Sequence, residues 1–287
     1  MTAAGTPCGS VPAVKPGLVF PDAKLLLLVL PAFAVLGVLF WPLLKLMVLS
    51  AGSGAFEPYA KVLGDPLYLG VIWQTMKIAA VSTVLCLILA YPLAYFIATT
   101  GPRLRVACLV LVALPFWTSV LVRTYAWMVL LGRNGIINRT LMENGLIDQP
   151  LPLVYNAGGV VLGTVYYLLP FMVLPIYSSM RGVDHNLVLA ARGLGASGWS
   201  AFWRVFFPLT LKGVVAGTAL VFIMALSAFV TPALLGGGKV IMITNLIYTQ
   251  VSELLNWELA ATLSALILLV TIAVYSALGF LTRRPGR

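Results

Sequence analysis

Residues 68–99 read YLGVIWQTMKIAAVSTVLCLILAYPLAYFIAT, a stretch in which Lys77 is the lone charged side chain. About eighteen consecutive apolar residues suffice for a helix to cross a bilayer, and this stretch is longer than that. It lacks the period-two alternation of a barrel strand, so the pattern predicts a membrane-spanning helix. Five further stretches read the same way, at about 25–49, 104–131, 157–180, 212–235 and 258–281. Composition agrees with them. The 287 residues are 61% hydrophobic and 9% charged, with a mean hydropathy of +1.03. Soluble domains are about 45–50% apolar and about 25% charged, so this chain cannot bury its apolar surface in one aqueous core. The expected fold is all-α and integral to the membrane, with six transmembrane helices.

Loop charges predict the orientation. Placing the amino terminus inside puts Lys15, Lys24, Arg103, Arg105, Arg181, Arg192, Arg204, Lys212, Arg283, Arg284 and Arg287 in cytoplasmic segments. Lys61, Arg133, Arg139 and Lys239 then fall outside, as do six of the eight acids. A positive-inside bias of this size predicts that both termini are cytoplasmic. The net charge of +10 forms no run or stripe, which argues against a nucleic-acid partner. Residues 1–23 carry Pro7, Pro12, Pro16 and Pro21 among Gly and Ala, and are expected to be a flexible cytoplasmic tail. The first apolar run is span-length and reads as an uncleaved anchor. Residues 24–287 are expected to form the transmembrane domain, with a cytoplasmic loop at about 181–212.

Chemistry-bearing groups are sparse. Cys8, Cys86 and Cys108 form no C-x-x-C pair, and His185 has no metal-ligand spacing around it, so no metal site is expected. No Asp, Glu or His falls in the interior of a span. An intramembrane enzyme would need a nucleophile and base within reach of each other, and a secondary transporter would need acids for its coupling ion; both classes are disfavoured. Gly236-Gly237-Gly238-Lys239-Val240 lacks the spacing and the Ser/Thr of a phosphate loop and reads as a flexible turn. If ATP is used, another chain must bind it. Lys45 and Lys77 lie near span ends, where a long side chain can snorkel to water. Arg123 lies deeper and needs several acceptors, either as a tie between helices or as a pathway residue. Tyr125, Trp127, Tyr166 and Tyr167 are candidate aromatic contacts for a cationic solute in the same pathway. Pro42, Pro92, Pro115, Pro170, Pro175 and Pro232 predict kinks.

The loop at 181–212 reads RGVDHNLVLAARGLGASGWSAFWRVFFPLTLK. Leu187, Leu189, Ala190, Ala191 and Leu194 fit one short amphipathic helix, and Gly193, Gly195 and Gly198 permit a sharp turn. Trp199, Phe202, Trp203 and Phe206 then recur at helical spacing ahead of Pro208. Two short helices would make a protruding knob suited to a groove on a soluble partner, or an interfacial helix lying on lipid.

This loop resembles the EAA loop of binding-protein-dependent ABC importer permeases, E-A-A-x-x-x-G, nine residues, then I-x-L-P. Ala190, Ala191, Gly195 and Pro208 match outright, Val205 and Phe207 replace Ile and Leu, and Leu189 stands where the Glu would be. Residues 70–282, including RTYAWMVLLGRNGIINRTLMENGLIDQPLPLVYN and GVVLGTVYYLLPFMVLPIYSSM, are similar to the first permease subunit of spermidine/putrescine importers. The resemblance implies a type I ABC importer permease fold in a bacterial inner membrane. It implies a non-enzymatic half of an ATP-driven polyamine pathway, or of one for an opine, an amino-acid-like compound or a phosphonate. It further implies a second, distinct permease subunit, two ATP-binding subunits that carry ATP and Mg, and a periplasmic substrate-binding protein. Leu189, Ala190, Ala191, Arg192, Gly195, Val205 and Pro208 would then shape the contact with the ATPase, and this chain itself would bind no cofactor.

Overall fold

A computed structural model describes residues 23–51 and 57–282. Apart from Ala23, the expected tail over residues 1–23 lies outside the described residues, as does the carboxyl end beyond Thr282. Thirteen α-helices occur among the described residues: α1 (Ala23–Ala51), α2 (Glu57–Gly64), α3 (Pro66–Thr99), α4 (Pro102–Ala113), α5 (Val120–Leu131), α6 (Ile136–Glu143), α7 (Ala157–Arg181), α8 (His185–Gly193), α9 (Gly198–Ala201), α10 (Phe207–Leu226), α11 (Val230–Leu235), α12 (Ile243–Ser252) and α13 (Trp257–Thr282). The chain divides after Leu46 into two units. The first holds most of α1, in which Lys45 Nζ lies 5.6 Å from the Trp41 ring centroid. The second runs from Met47 onward and holds α2 to α13.

The core of this second unit is α7 packed along α3 and α10. The α3 face that meets α7 is narrow, with Ala79, Cys86, Ala90 and Ala94 all fully buried. Small residues let helix backbones approach closely where lipid supplies no hydrophobic drive. The α10 helix does the same with Gly213 and Gly217. A Cβ at Gly213 would lie 2.6 Å from the Pro175 carbonyl oxygen, and one at Gly217 would lie 3.0 Å from Met172 Sδ. Leu168, Met172, Val173 and Ile176 of α7 fill the centre between the two neighbours.

Local signals set the helix starts. Asp65 Oδ1 accepts the Leu67 N–H at 2.8 Å with Pro66 in the first turn of α3, and Asn156 Oδ1 accepts the Gly159 N–H at 2.8 Å at the start of α7. At its far end α3 is closed by Arg105, whose guanidinium donates to the carbonyls of Ile97 (3.3 Å) and Thr100 (2.7 Å).

Among the described residues, five helical runs are long and apolar enough to cross a membrane: Phe33–Ser50, Pro66–Thr99, Ala157–Arg181, Gly198–Leu226 and Trp257–Ala277. A sixth is a bent pair, Pro102–Trp117 with Val120–Glu143, folded through 99°. Two expected spans are thereby corrected. The stretch at 104–131 is not one helix. After α4 a 3-10 turn over Leu114–Trp117 leads to an extended Thr118, and α5 leaves in a new direction. The stretch at 212–235 is likewise divided. It starts earlier, within a run from Gly198, and α10 stops at Leu226 before α11 begins at Val230.

A proline lies near each break. Pro115 and Pro232 sit at the two interruptions, and Pro232 cannot donate to the Ala228 carbonyl four residues back. Pro92, Pro170 and Pro175 nevertheless stay inside continuous helices.

Candidate functional site

The loop between α7 and α10 folds into the two short helices that its pattern predicts. Asp184 starts α8 by accepting the Asn186 N–H at 2.9 Å. Its end is a Schellman motif, in which the Ala196 N–H donates to the Ala191 carbonyl (3.1 Å) and the Gly195 N–H to the Arg192 carbonyl (3.0 Å). Gly195 takes φ +90°, in the left-handed region. The A-A-x-x-x-G spacing thus has a structural meaning. The second Ala lends its carbonyl to the cap, and the Gly supplies the left-handed residue four positions on. No heavy atom lies within 4 Å of a Cβ built on Gly195, so conformation rather than space requires the glycine. Ser197 Oγ then accepts the Ser200 N–H at 3.2 Å to start α9. The Arg192 guanidinium reaches across the turn, where a Cβ on Gly198 would meet Nη2 at 3.3 Å.

The knob exposes its apolar side chains. Leu194 is 91% exposed, Trp199 74%, and Leu187 and Leu189 about half. Ala190 and Arg192 are exposed beside them, while Ala191 is half-buried. The aromatic stripe divides in two. Trp199 and Trp203 face outward, whereas Phe202 and Phe206 turn inward onto Tyr95 of α3, each with its ring centroid at 5.6 Å. The loop also ends sooner than the sequence suggests. From Gly198 the chain is one helical run, opened by a π turn over Phe202–Phe206 in which the Phe207 N–H donates to the Phe202 carbonyl. Pro208, lacking the N–H that an α-helix would direct at Arg204, lies just beyond the π turn in the first turn of α10. Val205 is half-buried within that turn and Pro208 is exposed.

The residues considered for the pathway gather at the α4–α5 break, and Arg123 is their centre. Its Nη2 donates to the carbonyls of Pro115 and Thr118, both at 2.7 Å, and its Nε donates to Thr118 Oγ1 at 3.2 Å. The guanidinium carbon lies 5.5 Å from the Tyr167 ring centroid and 5.9 Å from that of Tyr166. Trp127 packs edge-on to Tyr166 at 5.4 Å. Of the five residues, Arg123, Trp127, Tyr166 and Tyr167 meet, while Tyr125 stands apart and is 64% exposed. This geometry is that of a tie. One planar fork donates to the Thr118 carbonyl, shares the Pro115 carbonyl with the N–H and hydroxyl of Thr118, and stacks on the aromatic faces of α7.

The second break is tied from a distance. Thr244 Oγ1 on α12 donates to the Ala228 carbonyl at 2.6 Å, and Asn245 Nδ2 donates to the Phe229 carbonyl at 3.2 Å. Neither residue stands out in the sequence. The signal available there was Pro232, whose missing N–H leaves Ala228 in need of a donor. Beyond the break, α11 packs on α5 and onto α7 at Gly163, where a Cβ would lie 2.9 Å from Thr231 Cγ2. The glycine run after α11 is a turn, with Gly237 and Gly238 at φ +53° and +74°. Lys77 Nζ lies 5.7 Å over the Trp73 ring.

Broken apolar runs around a close-packed helical core, with an exposed capped loop before the fifth run, define a helical membrane transport component. The chain matches the model of the binding-protein-dependent transport system inner membrane component family over residues 16–287 and belongs to that family. It is 38% identical over 224 residues to the spermidine/putrescine transport system permease protein PotB of Haemophilus influenzae, covering 77% of this chain and 78% of the relative. It is 39% identical over 214 residues to PotB of Salmonella typhimurium, covering 75% and 74%. Its fold is that of a chain in the crystal structure of a bacterial alginate ABC transporter in complex with an alginate pentasaccharide-bound periplasmic protein. The TM-score is 0.80 at 16% identity, over 92% of this chain and 95% of that one.

Proposed function

We propose that this chain is one permease half of an ATP-driven polyamine importer, and that the α8–α9 knob is where separate ATPase subunits dock. The observation that carries the docking reading is the exposed apolar surface of Leu187, Leu189, Leu194 and Trp199 on a rigidly capped loop. Such a surface is suited to a groove on a partner. The Leu at position 189, where the resembled motif has Glu, makes that contact apolar. The loop lies on the side that holds eleven of the eighteen Lys and Arg, which supports a cytoplasmic placement for it and for both termini. ATP and Mg belong to the partner chains. Closure of those partners draws the knobs of two paired permeases together and reorients the pathway, and a periplasmic binding protein delivers the solute.

The identity to relatives named as spermidine/putrescine permeases supports a polyamine as the solute. The spans of this chain carry no interior carboxylate, and Arg123 already covers Tyr166 and Tyr167. The acidic groups that a polycation needs therefore belong to the paired permease, a distinct chain. Uptake of labelled putrescine and spermidine in cells with and without this chain tests the reading, with an amino acid and a phosphonate as controls. Loss of polyamine uptake on deletion is the expected result. Intact polyamine uptake with loss of a control solute would keep the importer and discard the polyamine.

A further inference from the structure

A push on the knob can reach the spans only through the segments that join the two. The α8 helix is joined to α7 through the turn at Gly182 and to α9 through the turn at Leu194–Gly195, and it packs on α9 and the π turn. Both joints are short turns containing glycine, and neither is a helix continuous with a span. The run α9–π turn–α10 is different, because it is continuous into the core and is gripped from the side by two tyrosines of α3 one helical turn apart.

Tyr91 and Tyr95 stand four residues apart on α3 and so share a face. Tyr95 meets Phe202 and Phe206 edge-on, and Phe202 and Phe206 stack on each other at 5.8 Å. Tyr91 meets Phe202 edge-on at 6.3 Å and Phe207 at 5.6 Å. Its hydroxyl lies 3.2 Å from Thr210 Oγ1. Thr210 is fully buried, and its single hydroxyl proton goes to the Phe207 carbonyl at 2.8 Å, so Tyr91 is the donor in that pair. The same Thr210 offers its backbone carbonyl to Ser179 Oγ of α7 at 3.5 Å. Edge-to-face rings and a directed hydrogen bond fix angle as well as distance. The chain from knob to core thus runs Trp199, Phe202, Tyr91 and Tyr95, Thr210, then α7.

We propose that Tyr91 and Tyr95 are positioning residues for transport, making the α9–α10 run and the α3–α7–α10 core move as one body when the knob is displaced. This rests on the reading of the knob as the ATPase dock and goes beyond it, because docking alone does not require the grip. Removing the grip uncouples the two ends. ATP hydrolysis continues, and the spans no longer follow.

The test uses the assembled complex of both permeases, ATPase subunits and binding protein in proteoliposomes, with ATP hydrolysis and labelled spermidine uptake read from the same vesicles. The Tyr91→Leu/Tyr95→Leu double variant and Phe202→Leu are expected to keep hydrolysis within about twofold while uptake falls about tenfold or more. Tyr95→Phe keeps the ring and restores the wild-type ratio. Tyr91→Phe, which removes only the hydroxyl contact, and Thr210→Val, which removes it together with the Thr210 bond to the Phe207 carbonyl, lower the ratio of uptake to hydrolysis about two- to threefold. An unchanged ratio in the leucine variants, whether both activities persist or both fall together, overturns the proposal. If the double variant does not assemble, Phe202→Leu and Thr210→Val decide it by the same ratio.

A second readout needs no solute. Spin labels at Ser200 on α9 and Thr99 on α3, on a chain with its native cysteines replaced, report the distance from the α9–α10 run to α3 with and without nucleotide. A distance unchanged by nucleotide in the wild type and broadened in the double variant is expected. An equally narrow distance in both overturns the grip. Leu194→Asp separately tests the dock. ATPase subunits that still co-purify and hydrolyse normally with it refute the docking reading, whatever the ratio shows for the tyrosines.

Discussion

Helices stop at two kinds of place in this molecule, and they stop by opposite means. At the knob, α8 ends by its own backbone, with Gly195 in a left-handed conformation and two main-chain bonds back to Ala191 and Arg192. At the breaks in the membrane runs, side chains hold the carbonyls between helices: Arg123 reaches Pro115 and Thr118, and Thr244 and Asn245 reach Ala228 and Phe229, of which Ala228 is the carbonyl that Pro232 leaves without an α-helical donor. A stop in water can leave the remaining groups to solvent. One within an apolar layer must satisfy its carbonyls inside the protein. Substitutions at the knob should therefore change function with little change in stability, and substitutions at the breaks should do the reverse.

The largest expected effect breaks the first half of that comparison if it fails. Gly195→Asp places a carboxylate on the exposed apolar turn, in open space, at a conformational cost of about 1 kcal/mol. Uptake should be abolished while the chain inserts normally and its melting temperature in detergent shifts by only a few degrees. Normal transport in this variant would show that the knob does not couple.

At the α4–α5 break, Arg123→Met keeps the apolar stem and removes the fork, leaving the Thr118 carbonyl without its donor and the Pro115 carbonyl with only the Thr118 N–H (3.3 Å) and hydroxyl (3.0 Å). Stability in detergent should fall by about 2–3 kcal/mol. Arg123→Lys should recover less than half of it, because one ammonium cannot hold two carbonyls and a hydroxyl in the geometry of a planar fork. Wild-type stability in Arg123→Met would mean that the break does not depend on its tie.

The two kinds of stop also differ in how far they are legible in the sequence. The spans at 68–99, 157–180 and 258–281 match α3, α7 and α13 to within two residues, because hydropathy changes sharply at Asp65, Asn156 and Asn256. The knob was legible as a spacing, since a Schellman cap depends on neighbours in the chain. The breaks were not. Apolar residues continue on both sides of Thr118 and of Ser227–Phe229, so hydropathy does not dip there. Proline alone does not mark them either, as Pro92, Pro170 and Pro175 remain inside helices. What holds the second break is a donor from farther along the chain, since Thr244 is sixteen residues from the carbonyl it serves. The same limit hid Tyr91, whose partner Thr210 lies 119 residues away.

The smallest effect sharpens the comparison most. Thr244→Val is nearly isosteric and removes the hydroxyl that donates to Ala228 at 2.6 Å. Hydrogen bonds between membrane helices average about 0.6 kcal/mol and reach about 1.7. Because Pro232 leaves that carbonyl no backbone alternative, the loss here should lie toward the upper end, about 1 kcal/mol. Thr262→Val is the matched control. Its hydroxyl is fully buried but bonds the Glu258 carbonyl of its own helix, so removing it should cost only a few tenths of a kcal/mol. The two differ because an i−4 carbonyl inside a helix keeps its backbone partner, while Ala228 has none. Pro232→Ala supplies one, since the Ala233 N–H already reaches Phe229 in α-helical register at 3.0 Å. In that background Thr244→Val should cost half as much or less. A penalty unchanged by Pro232→Ala would mean that Thr244 stabilises the break by packing alone, and that proline's missing donor is not what the second break is built around.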